Sequence, residues 1–145
     1  MSFIKAFFQK LGLSRLNYQI LVVGLDAAGK TTIINWLNPK KINTATPAET
    51  TPTVGFQIEN FAKNNINFTV VDMSGASRYR NLWEHYYQSS GAVIFVVDSS
   101  DRLRMCVAKD ELGALLGHKQ LKKGTPILVY ANKSDIQGAV SGPEV

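Results

Sequence analysis

Tyr18-Gln19-Ile20-Leu21-Val22-Val23 runs straight into Gly24-Leu25-Asp26-Ala27-Ala28-Gly29-Lys30-Thr31, and this junction decides the fold. The first stretch is apolar and β-branched, as a buried strand requires, and Thr31 to Leu37 suits a helix. Between them stands G-x-x-x-x-G-K-[ST], in the strand-to-helix context that its mechanism needs. Glycines let the backbone curl so that successive N–H groups converge on phosphate oxygens, while the following helix presents its positive end. Lys30 is placed to reach β- and γ-phosphates, and the Thr31 hydroxyl is a hard oxygen ligand for Mg²⁺. A glycine turn with a chance lysine is the bland alternative, and the flanking elements argue against it.

Two later motifs fall in the order such a site demands. Asp72-Met73-Ser74-Gly75 follows the apolar run Ile66 to Val71, which sets Asp72 at the carboxyl edge of a sheet, able to hold the magnesium shell. Gly75 permits a close approach of its backbone N–H to a terminal phosphate. Asn132-Lys133-Ser134-Asp135 closes the strand ending at Ala131. Asp135 can accept two hydrogen bonds from guanine, adenine offers no such donor pair, and unpaired buried acceptors make the discrimination steep. Lys133 can lay its stem over the base, and Asn132 can tie back to the phosphate loop.

Between these motifs the chain alternates strands and helices. Phe56 to Phe61 and Ile66 to Val71 bracket Lys63-Asn64-Asn65 as an antiparallel hairpin. Gly91 to Asp98 and Pro126 to Ala131 read as buried strands, and Asp101 to Leu116 as a helix. The pattern predicts an α/β parallel sheet covered on both faces. Asn38 to Thr53, with three prolines and many Thr and Asn, reads as a long loop of the kind that carries function. At the amino end, Phe3, Ile4, Phe7, Phe8 and Leu11 share one helical face opposite Lys5, Gln9 and Lys10. Residues 1–16 are thus an amphipathic helix and linker, and 17–145 the catalytic-type domain.

Composition narrows the classes. The 145 residues suffice for one domain with a sizeable core, and with 45% hydrophobic and 19% charged residues the chain does not read as disordered. Sixteen Lys+Arg against eleven Asp+Glu give a formal +5, which favours phosphates or anionic lipid. That surplus is modest and no stacking motif accompanies it, so no nucleic-acid partner is expected. No apolar run reaches the roughly 18 residues of a membrane span, which leaves peripheral attachment. The single cysteine, Cys106, reads as inert packing in a reducing, cytoplasmic compartment, and His85 and His118 offer no metal-ligand pairing.

Taken together, these motifs resemble the Ras-like small GTPases, and more closely the Arf family, from Phe3 onward. Gly24 to Thr32 and Pro52-Thr53-Val54-Gly55-Phe56 are similar to that family's own versions. Asp72 to Gly75, Arg78 to Tyr87 and Asp98 to Met105 are similar to its ciliary branch. The resemblance implies a doubly wound, mostly parallel sheet with helices on both faces, and GTP/GDP with Mg²⁺ as cofactors. It further implies nucleotide contacts from Gly24, Asp26, Ala27, Ala28, Gly29, Lys30, Thr31, Thr32, Thr53, Gly75, Asn132, Lys133 and Asp135, and metal contacts from Thr31, Thr53 and Asp72. Thr53 would bind Mg²⁺ and γ-phosphate only in the GTP form, with Lys30 and Gly75 as its catalytic companions. Phe56 and Tyr86 match effector-reading positions, whereas Trp83 and Tyr87 are read as packing; Val71 stands where a third aromatic is usual.

Implied partners are an exchange factor, an activating protein and a coat of the BBSome type at ciliary membranes, with a monomer expected. The chain departs from the family pattern at three places. Ala76 replaces the glutamine that orients attacking water, so slow intrinsic hydrolysis is expected. Ser2 removes the acylated glycine, leaving the helix Phe3 to Leu11 as the membrane contact. The family's last base-contacting loop, final strand and final helix fall beyond Val145, so an incomplete domain with one uncovered sheet edge is expected. Three functions compete: a hydrolytic GTPase, a binding switch with little turnover, and a P-loop ATPase or nucleotide kinase. Asn132 to Asp135 disfavours the third, and Ala76 favours the second over the first.

Overall fold

The computed structural model describes residues 16–42 and 50–145, and the amphipathic segment Phe3 to Leu11 lies outside them. Five strands form one sheet: β1 (Leu16–Val23), β2 (Phe56–Lys63), β3 (Ile66–Met73), β4 (Ala92–Asp98) and β5 (Ile127–Asn132). Their order is β2-β3-β1-β4-β5, with β1 parallel to both β3 and β4, β4 parallel to β5, and β2 antiparallel to β3. Two residues, Asn64 and Asn65, turn the β2–β3 hairpin with φ of 49° and 61°. Asparagine tolerates that left-handed region, and two such residues in a row match the twist of the strands they join.

Alternation within the strands divides the core into two layers. Leu21, Val23, Val71, Met73, Val93, Phe95 and Val97 point one way, against Trp83, Tyr87, Ala108 and Leu115. Val22, Val70 and Val96 point the other way, against Ala28, Ile34 and Phe61. The first layer is covered by helices α3 (Glu84–Tyr87) and α4 (Met105–Leu116), the second by α1 (Lys30–Leu37). A strand segment buried on both faces must be apolar, which is why residues 20–23 of β1 and 92–97 of β4 read as continuous apolar runs, while Asn17 and Gln19 lie outside the buried half of β1.

Several boundaries differ from the sequence expectation. The predicted loop Asn38 to Thr53 contains one helical turn, α2 (Pro39–Ile42), nucleated where the Asn38 side chain accepts from Lys40 N at 3.1 Å, with proline at the first helical position. Residues 43–49 of that loop lie outside the described residues. The predicted helix Asp101 to Leu116 opens with a 3₁₀ turn over Arg102–Arg104, capped by Asp101, before α4 begins. Cys106 is exposed rather than packed, because α4 turns Ala108 and Leu115 inward and leaves Cys106 off that stripe. Phe56 and Ile58 on the edge strand β2 are exposed as well, and on the opposite edge so are Leu128, Val129 and Tyr130 of β5. Among the described residues, no helix is long and apolar enough to cross a membrane.

The connectivity positions the site. From β1 the chain moves outward to β3 on one side and returns to β4 on the other, so the loops leaving the carboxyl ends of β1, β3 and β4 diverge around one crevice. Ligands bind open α/β sheets at such reversals.

Candidate functional site

The loop leaving β1 folds as its glycines require. Gly24 has φ of 139°, and a Cβ there would sit 2.1 Å from Val96 O; Gly29 has φ of 93°, and its Cβ would meet the Asn132 amide at 2.3 Å. No side chain fits either position. The strand end can therefore press on β4 and the helix start on β5, which brings residues 132–135 to the loop from more than a hundred positions away. Asn132 Nδ2 donates to Ala28 O at 2.8 Å, and Lys133 Nζ donates to Ala27 O at 2.7 Å. Lys133 also pairs with Asp98 at 2.6 Å. Burial tends to raise Asp98, but hydrogen bonds from Lys133 and Ser100 outweigh it and hold the carboxyl below its ordinary value.

A cavity of about 550 Å³ opens over this loop. Its wall brings together Asp26, Ala27, Gly29, Lys30, Thr31, Thr32, Thr53, Gly75, Ala76 and Lys133. Gly24 and Ala28 are buried beneath it, and Asp135 is exposed and does not line it. Lys30 is 6% exposed, and its ammonium donates to Gly24 O at 3.1 Å and Leu25 O at 2.8 Å. Desolvation lowers its pKa from 10.5 to about 8, although the charges of Asp72 and Asp26 pull the other way. A cation held this far from water is poised to recover its full charge against an anion.

Two hydroxyls of the cavity wall, on Thr31 and Thr53, meet the buried Asp72 carboxylate behind it. Thr31 Oγ1 donates to Asp72 Oδ2 at 2.5 Å and lies 2.9 Å from Thr53 Oγ1, which is itself 3.5 Å from Asp72. Burial raises the Asp72 pKa, against the opposing Thr31 hydrogen bond and Lys30 charge. Its other oxygen, Oδ1, is buried with no hydrogen-bond partner among the described residues. An all-oxygen set of two hydroxyls and a carboxylate, with one buried acceptor unsatisfied, fits a hard dication such as Mg²⁺, which takes its remaining ligands from phosphate and water. Among the described residues no cluster of His, Cys, Asp and Glu offers a rival metal site.

Gly75 is held tightly against the loop. A Cβ built on it would lie 2.1 Å from Leu25 C, 2.2 Å from Asp26 N and 2.4 Å from Gly24 O, all backbone atoms. Side chains outside the phosphate and base motifs brace this arrangement. The Trp83 indole donates to Ser74 O, and Arg80 bonds both Gly75 O and Glu111. Arg104 pairs with Asp26 at 3.1 Å and with Asp101. Nothing in the local sequence marks these residues, since each acts across the fold. Trp83 and Tyr87 are core residues at 2% and 5% exposure, as expected, while Phe56 is exposed and packs against Tyr86 with the rings tilted by 56° and their centroids 5.4 Å apart.

The model of the ADP-ribosylation factor family, Arf, matches residues 4–145. ADP-ribosylation factor-like protein 6 of Danio rerio is 51% identical over 136 residues, covering 93% of this chain and 72% of that protein. The Caenorhabditis elegans protein of the same name is 43% identical over 146 residues, covering 100% and 75%. Among solved structures, the Arl6 BBS3 small GTPase of Trypanosoma brucei, with bound nucleotide analogue GppNp, superposes with a TM-score of 0.78 at 46% identity, over 88% of this chain and 74% of that one. The mammalian SRP receptor superposes with a TM-score of 0.72 at 24% identity, over 86% and 67%, and shows the fold alone.

Proposed function

This chain belongs to the ADP-ribosylation factor family of small GTPases, which bind guanine nucleotide, and from that premise we propose a magnesium-dependent GTP/GDP switch with slow intrinsic turnover. The observation that carries this reading is the meeting of Thr53, Thr31 and Asp72 beside Lys30 and Gly75. Thr53 and Gly75 come from separate loops, and a γ-phosphate with its metal is the ligand that gives both a reason to converge. In this reading the loop amides from Asp26 to Thr32 and the Lys30 ammonium hold the phosphates. Thr31, Thr53 and Asp72 hold the ion, which neutralises phosphate charge. Asp135 selects guanine, while Asn132 and Lys133 brace the base-side wall against Ala28 and Ala27. Loss of the γ-phosphate frees Thr53 and Gly75, and the two loops part.

Ala76 supports the slow turnover. It lines the cavity two hydrogen-bonding atoms short of the glutamine that the family resemblance leads one to expect, and a methyl group cannot orient water. The GTP form then persists until a partner supplies the missing group. Exposed Phe56, packed in a tilted ring contact against half-buried Tyr86 beside the loops that Thr53 and Gly75 anchor, is the surface on which effectors would read that state. The resemblance to the ciliary branch points to a coat of the BBSome type as effector and to ciliary membranes as the place. The amphipathic pattern Phe3 to Leu11 supplies the membrane contact, coupled to nucleotide through the β2–β3 hairpin.

Single-turnover phosphate release tests the central claim. Ala76→Gln is expected to accelerate release by about a hundredfold or more, the lower end of what one positioned proton-handling group contributes. Equal rates in the two proteins would refute the role given to Ala76, and copurification with ATP or with no nucleotide would refute the switch itself.

A further inference from the structure

Two side chains of the segment after Gly75 fasten the two carbonyls that flank its nitrogen and carbon. Trp83 Nε1 donates to Ser74 O at 3.0 Å, and Arg80 Nε donates to Gly75 O at 2.9 Å. Ser74 C=O and Gly75 N–H share one planar trans peptide, so drawing the carbonyl toward the core indole turns the amide hydrogen away from it, on the side of the cavity wall that Gly75 forms. Trp83 is fixed by the core. Arg80 is the adjustable half of the clamp.

The Arg80 side chain is 16% exposed and spans three segments. Besides Gly75 O, its guanidinium bonds Glu111 Oε1 of α4 at 2.8 Å and lies 3.9 Å from Asp26 Oδ1 of the phosphate loop. A planar fork with five fixed donors can serve these directions at once, which a lysine cannot. The guanidinium thus references the Gly75 backbone to both a core helix and the loop that grips the other phosphates.

We infer that Arg80 is a positioning residue for the third phosphate: by tying Gly75 to Glu111 and Asp26 it holds the Gly75 amide where only a triphosphate reaches it, and so sets the preference for GTP over GDP. The inference rests on the switch reading above. A general electrostatic role would affect both nucleotides, since Arg80 carries its charge toward the whole cavity. A positioning role acts on one.

The test measures affinities of the magnesium-loaded protein for GDP and for a nonhydrolysable GTP analogue. Arg80→Gln is expected to weaken the triphosphate by about tenfold, the worth of one charge-assisted hydrogen bond, and GDP by less than about threefold. Arg80→Lys, which keeps the charge but loses the fork, is expected to recover less than half of that loss on a logarithmic scale. Glu111→Ala, which leaves every phosphate contact in place, is expected to shift the same ratio in the same direction and serves if the Arg80 variants fold poorly. Equal weakening of both nucleotides, no weakening of either, or full rescue by lysine would overturn the inference alone. A parent protein that binds neither nucleotide would overturn the switch reading, and this inference with it.

Discussion

Lys30→Met is expected to leave the nucleotide-free protein about as stable as the parent while abolishing its response to nucleotide. Burial has lowered the Lys30 pKa from 10.5 to about 8. The folded value lies below the unfolded one, so the unfolded chain binds the proton more tightly. The cost of folding is fully present below pH 8 and is relieved as pH rises from about 8 toward 10.5. At about 1.4 kcal/mol for each tenfold difference in proton affinity, that cost is about 3 kcal/mol at neutral pH. Methionine keeps an unbranched chain and removes the charge. It gives up the charge-assisted hydrogen bonds to Gly24 O and Leu25 O, about 1.5 kcal/mol each. The two effects nearly cancel, so without ligand the Tm of the variant should stay within about 3 °C of the parent's. With ligand the parent leads, because GDP at a hundred times its Kd adds about 2.7 kcal/mol to the parent and nothing to a protein that cannot hold phosphate. Thermal melts with chelator, then with GDP and Mg²⁺, read both effects. Melts at pH 8 and pH 10 add a third, since only the parent should gain stability over that interval. A variant that melts more than about 3 °C below the parent in chelator, or that keeps the ligand shift, would refute this account of Lys30.

Gly75→Ala forces backbone atoms now 2.1–2.4 Å from the added Cβ to separate by more than an ångström, so triphosphate affinity should fall by about tenfold or more while GDP binding changes little; titration of both nucleotides checks it. Asp98→Asn weakens the partner of Lys133 and should raise the GDP off-rate by about threefold to tenfold, read by displacement of a fluorescent nucleotide. The same pair gives the parent an acid limb: the depressed Asp98 carboxyl contributes stability above its unfolded value and loses it as pH falls through the folded one, so the variant's melting curve should flatten below about pH 4. Asp135→Ala should cost guanine selectivity by about a hundredfold against adenine nucleotide, measured as the ratio of the two affinities, because the paired acceptors are gone.

What the sequence revealed and what it hid divide along one physical line. The loop from Gly24 to Thr31 is legible because its function is backbone geometry, and glycine spacing writes backbone geometry directly into the chain. Central strands are legible for a similar reason: residues 20–23 of β1 and 92–97 of β4 lie in the middle of the sheet, where a side chain on either face meets the core and must be apolar. Their ends are less so. Leu16 and Asn17 join β1 by pairing with Ile66 and Asn67, whose partnership no local pattern announces. Cys106 was misplaced because helical spacing alone does not say which stripe of α4 faces the sheet. Asn38 looked like loop and proved to be the cap of a turn.

Within the site the same line holds. Thr53 carries no signal in its own neighbourhood, and only the family resemblance pointed to it; the structure sets it beside Thr31 and Asp72. Arg80 shows the limit more sharply, because its two acceptors, on Gly75 and Glu111, and its ion-pair neighbour Asp26 lie in three separate segments. A residue whose role is to hold one loop in register with two others has no local composition to betray it. The motifs supply groups that touch phosphate, but discrimination between two and three phosphates depends on where Gly75 is held, and that is a property of the packing behind it. Changes at Arg80, Glu111 or Trp83 should therefore alter nucleotide preference without altering any residue assigned to touch the nucleotide.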